Sequence, residues 1–153
     1  ELYARAFAAY AAMKATEAPL PAADLRAAQM PRVLDSAIYL KDHLHEAPVH
    51  VIPCIEGRVE QAGLLAQASI YGSILPATWS LMLALRARGL GSAWTTLHLM
   101  FEQEAARLLG IPDSITQAAL LPVAYFTGAD FKPARRLPPG ERTYWNTWGA
   151  RRA

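Results

Sequence analysis

The order of helical and extended segments predicts an α/β or α+β fold around a small sheet. Helical periodicity, β-branched runs, and the glycine or proline residues between the segments support this class. Hydrophobic residues make up 53% of the 153 residues and charged residues 18%, which excludes an intrinsically disordered chain. The length suits one domain, so we treat 1–153 as a single unit whose residues 127–153 form a C-terminal arm.

Charge and cysteine content exclude several function classes. The chain has 15 Lys and Arg residues and 13 Asp and Glu residues, so its net charge is +2. This charge is too small to indicate a nucleic-acid-binding surface. The longest apolar stretch, residues 74–85, is shorter than the roughly 20 residues of a membrane span. Cys54 cannot form an internal disulfide because it is the only cysteine, so we expect a reducing cytosol and no membrane partner.

The N-terminal third predicts two helices. Tyr3, Phe7, Tyr10 and Met13 share one face of an alanine-rich segment at residues 1–14. No capping residue precedes this segment, so we expect that part of the domain lies before Glu1. Residues 17–30 predict a loop with a short helical piece at 22–28, and a second helix is predicted from residue 31 to residue 46.

The middle of the chain predicts a strand, a loop and a buried helix. The apolar run 49–55 predicts a strand covered on both faces, and the polar residues 56–69 predict a loop. Residues 73–88 predict a helix with Pro76 near its first turn and Gly89 as its left-handed cap. Because this segment is apolar almost all round, we expect a central buried helix.

Three further elements complete the prediction. Residues 89–97 predict a turn into a short strand, and residues 101–109 predict a helix capped by Gly110. A second clear strand is predicted at 117–126, and residues 127–140 form a basic, proline-rich segment.

No metal site or nucleophilic centre is predicted. His43 and His45 point to different faces of a helix, and His50 lies beyond a proline, so no two histidines have the spacing of a helical zinc pair. An apolar strand raises the pKa of a thiol, so Cys54 is interpreted as a buried structural residue. The chain also lacks the glycine-rich motifs of nucleotide-binding loops and the nucleophile elbow of hydrolases.

One constellation suggests a binding site for a flat, phosphorylated ligand. The glycines of residues 89–91 permit close backbone approach, and Thr95 and Thr96 offer amides and hydroxyls. Lys132, Arg135 and Arg136 offer charge and forked hydrogen bonds for a phosphate. A helix cap followed by a solvated basic loop explains the same residues, and residue chemistry alone slightly favours that interpretation.

Five segments, in order and with their spacing, resemble the flavin-dependent nitroreductase family. They are residues 74–97, 109–112, 120–125, 132–138 and 144–148, so the resemblance covers most of the chain from about residue 31 onward. It implies an α+β fold with a central mixed sheet flanked by helices. It also implies an intertwined homodimer with FMN at each of the two dimer interfaces. The family's N-terminal phosphate-binding segment has no counterpart here.

The resemblance also assigns flavin contacts. Trp94, Thr95 and Thr96 match the stretch that lies along the flavin ring, after Gly91 and Ser92. Arg136 matches the phosphate-contacting arginine, with Arg135 as the alternative if the register shifts by one. The segment that reaches the flavin from the partner subunit is matched by Ser73, Ile74, Leu75 and Pro76.

The implied activity is NAD(P)H-dependent reduction of small, flat, electron-poor acceptors such as nitroaromatics or quinones, in a ping-pong cycle with no catalytic side chain. Three alternatives stay open because a fold does not fix a function. These are another flavin chemistry such as dehalogenation or dehydrogenation, a non-catalytic flavin-sequestering protein, and a scaffold without cofactor. The sequence does not decide between NADH and NADPH, or between FMN and a deazaflavin.

Overall fold

The computed structural model describes residues 1–18, 20, 21, 24, 26–128, 131 and 136–151. Four α-helices and five short strands make up the fold. The helices are α1 Leu2–Lys14, α2 Met30–His43, α3 Leu64–Ala87 and α4 Glu102–Leu109. The strands are β1 Val49–Val51, β2 Cys54–Glu56, β3 Leu90–Ser92, β4 Ile115–Gln117 and β5 Leu121–Tyr125. Single 3-10 turns lie at Ala27–Gln29, Leu44–Glu46, Leu97–Phe101 and Pro139–Glu141.

The strands form two small antiparallel sheets. β5 lies in the centre of the first sheet, with β1 on one side and β3 on the other, while β2 pairs with β4 in the second. Every strand pair among the described residues is antiparallel, where the family resemblance implied a mixed sheet. The α+β class itself is confirmed.

A β-bulge divides each of the two predicted long strands. Val51 pairs with Leu121 and Cys54 pairs with Gln117, so the two residues 52–53 lie opposite the three residues 118–120. Pro53 cannot donate to a ladder, although its carbonyl accepts a hydrogen bond of 2.9 Å from the Ala118 N–H. The predictions of continuous strands are therefore wrong at residues 52–53 of the segment 49–55 and at residues 118–120 of the segment 117–126.

The core is centred on β5. Ala119, Leu121 and Val123 form its buried cluster, and Val51, Met82, Leu85 and Leu90 pack around them. Residues 116–123 are all buried, as expected for a strand with helix or loop on both faces. Residues 49–55 differ from the prediction, because Val49 and Cys54 are exposed.

Helix α3 is longer and more exposed than predicted. It begins at Leu64 rather than residue 73, because the strongly helix-forming residues 64–71 continue it upstream and Pro76 lies in its interior. Gly89 follows it with φ +78°, which confirms the left-handed cap. Thr78 is the only buried residue of α3, so the prediction of a buried helix is wrong for a single chain.

By length and composition, one helix in the described part of the chain, α3, could cross a membrane. Met82 and Leu85 of this helix pack against the buried cluster of the first sheet.

The other helices largely follow the sequence. α2 begins with Pro31 in its first turn, and a 3-10 turn extends it to Glu46. α4 ends at Gly110, which has φ +67°. The predicted apolar face of α1 is wrong in detail: its buried residues are Tyr3 and Ala6, whereas Met13 is 52% exposed.

Replacing Leu121 by Ala tests whether β5 carries the core. Leu121 is the largest fully buried side chain, so the variant should lose about 2–5 kcal/mol of unfolding free energy, measured by urea denaturation. Leu108→Ala is the matched control, because Leu108 is 71% exposed and its removal should change stability by less than about 0.5 kcal/mol. Equal losses in the two variants would contradict the assignment of the core.

Candidate functional site

Residues 91–96 lie along an edge of the first sheet. β3 pairs only with β5 in the described part of the chain, and the pairing continues beyond β3 as a bridge between Thr95 and Leu120. The Thr95 N–H donates to the Leu120 carbonyl at 3.1 Å, and the Leu120 N–H donates to the Thr95 carbonyl at 2.8 Å. In an antiparallel ladder the neighbouring residues then direct their N–H groups away from the partner strand.

Trp94 and Thr96 have the open backbone groups of this edge. Neither N–H has a hydrogen-bond partner among the residues that the structure describes. Thr96 is exposed, and the Trp94 side chain is 37% exposed. Two donors from alternate residues therefore point outward beside a partly exposed indole, an arrangement that can bind the edge of a planar heterocycle.

Thr95 turns inward. Its side chain is buried, and its Oγ1 lies 2.7 Å from the Tyr3 hydroxyl oxygen, within hydrogen-bond distance. Because its N–H pairs with Leu120, Thr95 offers neither of the two groups that the sequence predicted for a ligand. It holds the strand in place, and its neighbours carry the open groups.

Gly91 faces the Phe126 side chain. A Cβ at this position would lie 3.4 Å from that side chain and 3.6 Å from the Ala124 carbonyl oxygen, which are ordinary van der Waals distances, so this packing does not by itself require glycine. The Arg86 guanidinium stacks over the Phe126 ring at 4.2 Å and over the Phe131 ring at 4.7 Å. This side of Gly91 therefore faces a packed aromatic pair, and Ser92 beside it is half-buried.

The segment Ser73, Ile74, Leu75 and Pro76 lies in the interior of α3. Ser73 and Pro76 are exposed, while Ile74 and Leu75 are half-buried. No hydrogen bond joins this segment to residues 91–96 in the described structure. One turn downstream the Thr78 hydroxyl donates to the Ile74 carbonyl at 2.8 Å.

The predicted phosphate-binding residues are only partly described. Arg136 is exposed and lies between β5 and the turn at Pro139–Glu141. Arg135 and Lys132 lie outside the described residues. The grouping of these three cations stays a prediction.

A polar cluster around Glu102 was not foreseen. Arg58 grips the Glu102 carboxylate with two hydrogen bonds of 2.8 Å and also donates to the Ile115 carbonyl at 2.7 Å. Glu60 is a further ion-pair partner of Arg58. The Gln117 side chain donates to the Glu102 backbone carbonyl at 3.0 Å. No spacing in the sequence connects these residues, because the bulged ribbon brings them together.

A cleft of about 360 Å³ adjoins this cluster, away from the open strand edge. Its charged lining is Arg58, Arg107, Glu102 and Asp113, two residues of each sign. The charges balance, so this cleft does not select an ion of either sign.

His98 is the most unusual buried group. It is 3% exposed, and neither ring nitrogen has a hydrogen-bond partner among the described residues. Burial lowers the pKa of His98, while the nearby Glu102 carboxylate opposes that shift. The ring is therefore held in its neutral form. No spacing or motif in the sequence indicates a buried histidine without hydrogen-bond partners at this position.

Cys54 differs from the prediction in its exposure. It is an exposed free cysteine whose thiol lies 3.4 Å from the Ile52 carbonyl oxygen. Partial desolvation and the Glu102 charge raise the pKa of the thiol, which disfavours a reactive thiolate. In the part of the chain that is described, no group of three or more His, Cys, Asp or Glu side chains could hold a metal ion.

Helices over a small antiparallel sheet with an open, hydrogen-bonding edge define an α+β protein. The model of the Nitroreductase family matches residues 4–125. The chain therefore belongs to the nitroreductase family, which confirms the family that the sequence predicted. The match does not extend to the segments 132–138 and 144–148 that also suggested the resemblance.

A solved structure has the same fold. It is a nitroreductase-like family protein from Bacillus cereus, with a TM-score of 0.58 and 17% sequence identity. The alignment covers 75% of this chain and 59% of the Bacillus chain. At this identity the likeness concerns the fold alone. A comparison with curated protein sequences gives no match.

His98 predicts a pH dependence of stability. Its pKa is below 6.5 in the folded protein and close to 6.5 when unfolded, so the unfolded chain binds the proton more tightly. The contribution is fully present above about pH 6.5 and is lost as the pH falls toward the folded pKa. His98→Gln should therefore flatten the decline in unfolding free energy between pH 7 and pH 5.

His45→Gln is the control for this experiment, because His45 is exposed and lies in the turn at Leu44–Glu46. Its pH profile should match that of the wild type. A His98→Gln profile parallel to the wild type throughout this range would show that His98 does not carry the effect.

Proposed function

We propose that this chain is an FMN-dependent oxidoreductase that uses NAD(P)H to reduce nitroaromatic or quinone-like acceptors. The main support for this proposal is the open strand edge at Trp94 and Thr96, found in a chain of the nitroreductase family. These residues fit a flavin, because two unpartnered N–H donors in an edge strand can bind the polar rim of its ring. Because the chain spans 59% of its structural neighbour, the activity of the whole protein is part of this proposal.

The chain's own residues bind and orient the cofactor in this proposal. The N–H groups of Trp94 and Thr96 donate to the ring, and such fixed donors stabilise negative charge that develops there. Arg136, or Arg135, binds the phosphate with charge-assisted hydrogen bonds. Gly91 and Ser92 set the position of the strand. FMN, when bound, supplies hydride transfer from NAD(P)H to the acceptor in a ping-pong cycle.

The half-exposed Trp94 side chain offers a flat surface to aromatic acceptors. Ring stacking favours planar partners, and electron-poor rings stack well on an electron-rich indole. No general acid or base is needed for these roles, so the protein's contribution is binding, orientation and electrostatics.

A homodimer completes this proposal. Trp79 and Leu83, one turn apart on α3, are each 55% exposed, and α2 exposes Val33, Leu34 and Tyr39. Apolar surface of this extent marks an interface, and packing against the sheet holds α3 in the fold. In an intertwined dimer, Ser73, Ile74, Leu75 and Pro76 reach the flavin of the partner subunit. Cys54 as the only cysteine favours the cytoplasm.

The visible spectrum of the purified protein tests the function. We expect visible flavin absorption that NADH or NADPH bleaches and that a quinone or nitroaromatic acceptor restores. A bound flavin that neither nucleotide bleaches would indicate a sequestering protein instead. Bleaching without reoxidation by these acceptors would favour dehalogenating or dehydrogenating chemistry. A colourless protein that does not take up added FMN would reject the proposal.

Arg136→Ala tests the phosphate contact within that experiment. Loss of a charge-assisted hydrogen bond should weaken FMN binding roughly ten- to hundredfold, measured by fluorescence titration of the apoprotein. Arg32→Ala is the matched control, because Arg32 is an exposed arginine on α2. Equal FMN affinity in both variants would remove Arg136 from the site and direct attention to Arg135.

Leu83→Asp tests the dimer. A charge beside Trp79 on the exposed α3 face should convert the dimer into monomers at micromolar concentration, measured by light scattering after gel filtration. Leu108→Asp, on the exposed side of α4, should leave the dimer intact. A monomeric wild type, or a Leu83→Asp dimer, would contradict the proposed interface.

A further inference from the structure

Helix α1 contacts the candidate flavin strand through its N-terminal half. The Tyr3 hydroxyl oxygen lies 2.7 Å from Thr95 Oγ1, a buried contact between residues 92 positions apart. One turn further on, Ala6 is fully buried. Arg5 pairs with Glu104 at 2.8 Å and stacks over the Phe101 ring at 4.7 Å. These contacts fix α1 against residues 95–104.

The strand needs this support because its own pairing is weak beyond Ser92. Pro122 lies opposite Ala93 and has no N–H, so the ladder loses one bond there. The remaining bond, from the Ala93 N–H to the Pro122 carbonyl, is long at 3.4 Å. The bridge between Thr95 and Leu120 is then the main backbone attachment of residues 93–96.

The Tyr3 hydroxyl contacts Thr95 through the Thr95 side chain. Thr95 is paired to Leu120 through its backbone and to Tyr3 through its side chain, so the strand cannot rotate about its own axis without breaking one of them. Its neighbours Trp94 and Thr96 direct their N–H groups outward, and that direction depends on the same rotation. Burial raises the pKa of Tyr3, so its hydroxyl stays protonated and able to donate.

We infer that Tyr3 is a positioning residue for the flavin: its hydrogen bond to Thr95 fixes the direction of the Trp94 and Thr96 N–H donors. The inference rests on the proposed function, since it concerns the same strand edge. Tyr3 itself lies behind the strand and acts only through Thr95.

A double-mutant cycle on FMN affinity tests the inference. Tyr3→Phe and Thr95→Val each remove one hydroxyl and keep the shape of the side chain. Each should weaken FMN binding about fivefold, the loss expected for one net hydrogen bond. The double variant should be no weaker than the weaker single variant, because both changes remove the same interaction. Thr95→Ser, which keeps Oγ1, should restore most of the wild-type affinity.

Tyr10→Phe is the matched control, since Tyr10 lies on the same helix and is only half-buried. Its FMN affinity should equal that of the wild type. Additive losses in the cycle, or unchanged affinity in Tyr3→Phe, would overturn the positioning role. A merely structural role would lower the unfolding free energy of the apoprotein and leave the FMN affinity of the folded fraction unchanged.

Amide hydrogen exchange of the ligand-free protein separates this inference from the proposed function. Tyr3→Phe should speed exchange at the Thr95 and Leu120 amides several-fold and leave that of Val123 in β5 unchanged. Equal exchange in wild type and variant overturns the inference whatever FMN does. A wild type that does not bind FMN overturns the proposed function, and exchange then still reports whether Tyr3 orders the strand.

Discussion

The fold depends on the burial of one continuous segment, residues 116–123. This segment passes through both sheets and is the only part of the chain in which eight consecutive described residues are buried. Its backbone must therefore find hydrogen-bond partners within the protein, because no water reaches it. Those partners come from two separate parts of the sequence: β1 and β2 in residues 49–56, and β3 with the Thr95 bridge in residues 90–95. The positions of α3 and of the candidate site follow from that pairing.

This dependence explains why the candidate site lies where it does. β5 is paired on both sides, so the next surface able to offer backbone groups is the outer edge of its neighbour. That edge carries Trp94 and Thr96. Backbone pairing of Thr95 with Leu120 attaches it to the sheet, and the contact between Tyr3 and Thr95 attaches it to α1. Rigid support of this kind is what a cofactor site needs, because loosely held donors lose much of their electrostatic effect.

The parts of the fold that local chemistry determines were predictable from the sequence. Gly89 and Gly110 end their helices in the left-handed conformation, and Pro31 lies in the first turn of α2. The start of α3 was missed because Pro76 was interpreted as a beginning, although a long helix can contain one proline at the cost of a single hydrogen bond. The strand breaks were missed because a bulge depends on the partner strand as much as on the residues themselves.

The candidate site, like the fold, was only partly predictable from the sequence. The family motifs predicted residues 91–96 as the important stretch, and the structure then distinguishes the inward Thr95 from the outward Trp94 and Thr96. That distinction depends on pairing with Leu120, which lies 25 positions further along the chain. The Arg58, Glu102 and Gln117 cluster was not predictable, because its contacts span 44 and 15 positions and follow no local pattern.

The bulge opposite Pro53 interrupts the pairing between residues 49–56 and 115–125, so that β1 and β5 lie in one sheet and β2 and β4 in the other. On one side of it, Leu121 and Val123 serve the core beneath α3, and on the other Gln117 serves the polar cluster around Glu102. A single-residue deletion within 118–120 would leave two residues opposite residues 52–53, so the pairs Val51–Leu121 and Cys54–Gln117 could then belong to one unbroken ladder. The extra residue is therefore what separates the strand pair in the apolar core from the strand pair beside the polar cluster.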